Sequence, residues 1–124
     1  MLERTVKSGV FVLAMMLAAV ANAHHSFAIY DFDKKIPFDG VVDTLKFRNP
    51  HIEMTMKVIN DKGEEEIIHF IEGAPANMMV RNGIRPEMLK PGSMIHAEGS
   101  PLLDDPTKFF LRTIRTADGT EYSN

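Results

Sequence analysis

An all-β fold with one short helix is what this sequence predicts, and three observations predict it. From His51 onward, Ile52, Met54, Met56 and Val58 alternate with His51, Glu53, Thr55 and Lys57, the period of two that marks a half-buried strand. Other segments of similar length are divided by turn signals at Arg48-Asn49-Pro50, Asn60-Asp61-Lys62-Gly63 and Pro91-Gly92. One stretch opens with Pro75 and closes with Asn82-Gly83, the start and stop signals of a short helix. Three strands, a helical connection and two more strands is the order of a small five-stranded OB-like barrel, which carries its helix between strands three and four. A small antiparallel β-sandwich is the alternative.

The elements follow in chain order. Residues 1–23 read as an export signal: Arg4 and Lys7 precede the apolar run Gly9 to Val20, and Ala21-Asn22-Ala23 supplies the small-x-small cleavage pattern. The apolar run is shorter than the about 20 residues that a membrane-spanning helix needs. Cleavage after Ala23 starts the mature chain at His24, and cleavage after Ala21 starts it at Asn22. Either way a periplasmic or secreted protein is expected, with no membrane association after processing. Residues 24–37 mix aromatic and charged side chains without a sustained period and read as an extended arm. The barrel domain is expected over 38–124, with strands at Phe38 to Phe47, from His51, at Glu65 to Ile71, at Ser93 to Ser100 and at Lys108 to Thr116. Asn60 to Gly63 forms a hairpin turn, Arg85 to Gly92 adds one further helical turn, and Pro101 to Thr107 is a loop.

Composition narrows the function. The chain has no cysteine, so neither a lipoprotein site nor a disulfide framework can form, and stability must come from a core of ordinary side chains. The net charge is −3, and the leader contributes one positive charge, which leaves the remainder slightly more acidic. An acidic exported domain is poorly suited to nucleic acid, which favours dense Lys/Arg surfaces. Catalysis is not expected. Ser26, Ser93 and Ser100 lack a nucleophile context, Asp39 and Glu72 stand alone as acids, and no phosphate-cradling glycine loop is present. Glu64-Glu65-Glu66 reads as a solvated face beside a turn.

Five histidines are the remaining chemistry-bearing residues. After cleavage, His24 offers an α-amine and an imidazole together, with reference pKa values of about 8 and about 6.5. Such a nitrogen pair suits Cu(II) in a tetragonal arrangement. His25 adds a ring one residue away, and His51, at the start of a strand, is the natural third donor. The metal ligands expected are therefore His24, His25 and His51, with copper as the candidate ion and no other cofactor expected. If cleavage falls two residues earlier, His24 occupies the third position, where amine, backbone amides and imidazole can also encircle Cu(II) or Ni(II). The competing reading makes the histidine pair a solvated tail and His51 a turn cap. His69 and His96 read as partly buried sheet residues, and Met54, Met56, Met78 and Met79 as packing. Without His-x-x-x-His or paired-cysteine spacing, a structural zinc site is not expected. The alternative function is a metal-free periplasmic module for a peptide, glycan or protein partner.

HHSF at 24–27, NPH at 49–51, GAPAN at 73–77 and LKPG at 89–92 together resemble a group of small exported bacterial proteins known only as a family of unknown function. The resemblance implies export and a compact domain, and it carries no activity.

Overall fold

The computed structural model describes residues 27–124. The leader, the cleavage site, His24 and His25 lie outside the described residues. Six strands occur in the order β1 (Ile36–Lys46), β2 (Glu53–Ile59), β3 (Glu65–Glu72), β4 (Met94–Pro101), β5 (Lys108–Thr116) and β6 (Glu121–Ser123). A helix, α1 (Ala76–Arg81), and a 3-10 turn (Pro86–Leu89) connect β3 to β4.

Hydrogen bonding runs β3-β2-β1-β4-β5-β6 and closes through β3 and β5, so five strands form a barrel and β6 hangs on its outside. The closing pair is parallel, with His69 beside Lys108 and Phe70 beside Phe109; every other pairing is antiparallel. The expected barrel and its connecting helix are what forms. A sheet closed on itself leaves few unpaired edges, which is the advantage of this architecture over an open sheet.

β1 is the strand that bends most usefully. Its first half, Ile36 to Val41, pairs with β4, and its second half, Val41 to Lys46, pairs with β2. Gly40 stands at that handover, where a β-carbon would lie 2.0 Å from the Lys57 carbonyl oxygen. The hairpin from β2 to β3 is built as its residues predict. Asn60 Oδ1 accepts from the backbone N–H groups of Lys62 and Glu64, and Gly63 takes a φ of 77°, which glycine adopts without the steric cost of a β-carbon.

The alternation over β2 directs Met54 and Met56 into the barrel, where they meet Val42, Ile68, Phe70, Ala97, Phe109 and Ile114. Met79 from α1, Ile84 and Leu89 are fully buried in the same core. The helical connection therefore contributes three apolar side chains to an interior that the strands alone would leave incomplete.

The described part of the segment before β1 packs on the barrel. Tyr30 bridges Leu102, Asp31 N–H donates to the Pro101 carbonyl at 2.9 Å, and Leu103 N–H donates to the Ile29 carbonyl at 2.8 Å. Phe27, Tyr30 and Phe32 gather on Phe110, with ring centroids 6.1, 5.4 and 5.4 Å away. Arg112 lies over the Phe32 ring at 5.1 Å and donates to Ser100 Oγ and to the Asn124 carbonyl. Arm, β4, β5 and the chain end are thereby tied together.

Candidate functional site

The local folding around His51 joins two of the sequence motifs. The Asn49–Pro50 peptide is cis. Asn49 Oδ1 accepts from Asn77 N–H at 3.2 Å, Ala76 N–H donates to the Arg48 carbonyl at 3.3 Å, and Ile52 N–H donates to the Ala74 carbonyl at 3.0 Å. The first helical N–H groups of α1 have no partner inside the helix, and the NPH turn supplies one. Asn49→Ala is expected to cost about 1 kcal/mol, the usual worth of such a cap. Asn49→Asp should keep most of it, with denaturant midpoints as the readout.

His51 does not share the outer face with Glu53, Thr55 and Lys57. β2 begins only at Glu53, so strand alternation does not reach back to His51. The residue instead lines a cavity of about 280 Å³ whose walls include Phe27, Glu72, Met78, Phe110 and Tyr122. His51 Nδ1 is buried and has no hydrogen-bond partner among the described residues. A buried polar atom left unpaired costs roughly 1–3 kcal/mol, and such an atom calls for an explanation.

Two of the other polar groups of the cavity, Glu72 and Tyr122, are held by hydrogen bonds. Tyr30 O–H donates to Glu72 Oε2 at 3.0 Å. Burial, then the bond to Glu72 and its charge, push the Tyr30 hydroxyl well above the usual tyrosine range. Tyr122 O–H donates to Met78 Sδ at 3.4 Å, and burial raises the Tyr122 hydroxyl as well. The cavity thus presents an imidazole, a carboxylate and a thioether among mainly apolar walls. Among the described residues, no three His, Asp or Glu side chains converge as a metal cluster.

The remaining histidines are placed differently. His96 is half-buried, with Nδ1 2.8 Å from Asp39 Oδ1 and Nε2 4.0 Å from Glu98 Oε1. It lines an open cavity of about 320 Å³ with Met94, Arg115 and Thr116, but its ring is already oriented by Asp39. His69 is exposed, which corrects the expectation of partial burial. Its apolar neighbours in phase, Ile67 and Ile71, are not buried either, because β3 buries only the face that carries Ile68 and Phe70.

The outer face of β1, β2 and β3 is satisfied from within. Lys46 and then Arg48 donate to Glu53 and hold its carboxyl down at about 2. The Thr44 and Thr55 hydroxyls are 2.7 Å apart, Thr55 also donates to Asp43, and Lys57 lies 3.7 Å from both Asp43 and Glu65. His51 contrasts with this network, since its ring nitrogen is the unpaired one.

His51 stands out in the sequence by its chemistry, whereas its surroundings do not. Glu72 was a lone acid, Met78 a packing residue and Tyr122 part of no element. Only the closure of the barrel brings them to one cavity. Among the described residues, no helix is long and apolar enough to cross a membrane. Nothing among curated proteins or solved structures matches the chain. Residues 12–108 match a family of unknown function, DUF6152, a span that takes in the HHSF, NPH, GAPAN and LKPG segments, and the chain belongs to that family.

Proposed function

We propose that this is an exported copper-binding protein acting as a periplasmic carrier or buffer, with the α-amine and ring of His24 as the chelate and His25 or His51 completing the donor set. The observation that carries this reading is the unpaired, buried Nδ1 of His51 beside a cavity that Phe27 also lines. Covalent geometry does the rest. His25 is two residues ahead of Phe27, so their Cα atoms are at most about 7.6 Å apart, and His24 adds only one further step of about 3.8 Å. Imidazole and amine nitrogens favour Cu(II) over harder ions.

The test is titration with Cu(II) of chain purified from the periplasm, after intact-mass analysis has fixed its first residue. Submicromolar binding is expected. His24→Ala, or one extra residue ahead of His24, should weaken it by about tenfold to a hundredfold, the scale on which metal sites respond to lost support. His51→Ala should weaken it measurably. An exported chain that starts far from His24, or one that binds copper equally well without the histidine pair, rules the reading out. A chain that binds no copper would leave a metal-free module for a peptide, glycan or protein.

A further inference from the structure

The same cavity holds a donor of another kind. Met78 is 45 % exposed on α1, although the methionines at 54, 56 and 79 are all fully buried. A core-filling role therefore accounts for those three and not for this one. The residue lines the cavity together with His51 and Tyr122, and its sulfur accepts from the Tyr122 hydroxyl. A thioether with one hydrogen bond to it keeps a second lone pair. Held at a cavity wall by its neighbour, it has less conformational freedom to lose on binding a metal than a free methionine side chain would.

We infer that Met78 is the soft ligand of this cavity and gives it affinity for Cu(I), with Tyr122 as the positioning residue that orients the sulfur. The inference rests on the copper reading above and deepens it. Amine and imidazole nitrogens serve the cupric ion, whereas thioether sulfur selects the cuprous one. A site that combines His51 with Met78 holds the ion in whichever state it arrives, and Met78 governs only the reduced one. Met94 is the natural comparison. It is 69 % exposed and lines the separate cavity of His96, where the ring nitrogen is already bonded to Asp39.

The experiment is a competition titration of the periplasmic chain against a chromophoric Cu(I) chelator without oxygen, run beside a Cu(II) titration, for the wild type, Met78→Leu, Met94→Leu and Tyr122→Phe. Leucine keeps the apolar volume at an exposed position, and circular dichroism checks that each variant is folded. Met78→Leu should lower Cu(I) affinity by about tenfold or more while Cu(II) affinity stays within about threefold. Tyr122→Phe should give a smaller loss of the same kind, and Met94→Leu none. Because the chain has no cysteine, any copper–sulfur scattering in the X-ray absorption of the Cu(I) form comes from methionine, and it should vanish in Met78→Leu. Equal Cu(I) affinity in Met78→Leu and wild type, or a loss that follows Met94→Leu instead, overturns the assignment while His24-dependent Cu(II) binding keeps the copper reading intact. Failure of the wild type to bind either ion overturns both.

Discussion

Replacing Gly40 with alanine is expected to lower the stability of the barrel by about 3 kcal/mol or more, at the upper end of what overpacking costs. The added β-carbon would sit 2.0 Å from the Lys57 carbonyl oxygen and 3.0 Å from Val58 Cγ1. A flexible side chain could move aside, but the closest atom is backbone, and it belongs to the strand that β1 must pair with. Moving β2 away breaks the register Val41 with Lys57 and Val42 with Met56; moving β1 away breaks Gly40 with Ile95 and Val41 with Met94. Both pairings meet at the next residue, Val41, so the strain has no cheap outlet. A domain of this size holds roughly 5–15 kcal/mol in all, and the denaturant midpoint should fall visibly with little change in slope. Gly63→Ala is the comparison. There the space is open and only the φ of 77° is unfavourable, so a loss of about 1 kcal/mol is expected. Equal and small losses at the two positions would show that β1 and β2 do not approach as closely as this.

Why the barrel was legible, and the site less so, follows from the range of the forces involved. β2 announces itself because every second residue is apolar, and the hairpin after it because Asn60 and Gly63 meet the demands of a tight turn. Pro75 and Asn82-Gly83 mark α1 within a residue or so of its ends. β6 was missed because three residues give no period, and Tyr122 is its one buried side chain. The docking of the arm is not legible locally, because nothing nearby in the chain says that Phe27, Tyr30 and Phe32 have Phe110 to pack on. That contact spans most of the chain and depends on β5 closing against β3. His69 misled for a related reason, since apolar neighbours in phase imply burial only when a second layer covers them. His51 was named from its chemistry, but its phase was assigned by extending a strand two residues too far. Methionine on a helix suggests packing, and a helix of six residues is too short for periodicity to say on which side Met78 lies.

The second large effect is expected at Phe110, and it connects the arm to the proposed copper site. Phe110 is 3 % exposed, yet it stands apart from the main core cluster, since its ring partners are the three arm aromatics. Truncating a buried phenylalanine to alanine costs about 3–5 kcal/mol, and edge-to-face ring contacts of this spacing add roughly 0.5–1.5 kcal/mol beyond area. Phe110→Ala should thus destabilise the protein by about 3 kcal/mol, and it should do so unevenly. Phe109, Leu111 and Ile114 keep β5 in the core, so the barrel persists while residues 27–35 come loose, a local opening below the global one. The amides of Asp31 and Leu103, bonded to Pro101 and Ile29, should exchange with solvent well before those of β2. Copper binding gives an independent readout. If copper binds as proposed, docking of Phe27 is what keeps the start of the mature chain near the His51 cavity, so His51→Ala should weaken Cu(II) binding in the wild type and do almost nothing in the Phe110→Ala background. Such non-additivity is the mark of sites that act through shared structure. Phe110→Leu, which keeps apolar bulk and removes the ring edges, should show the same pattern in milder form, and it serves if the alanine variant unfolds. If the Asp31 and Leu103 amides stay protected, and His51→Ala costs the same affinity in both backgrounds, then the arm is not what brings the first residues of the mature chain to His51.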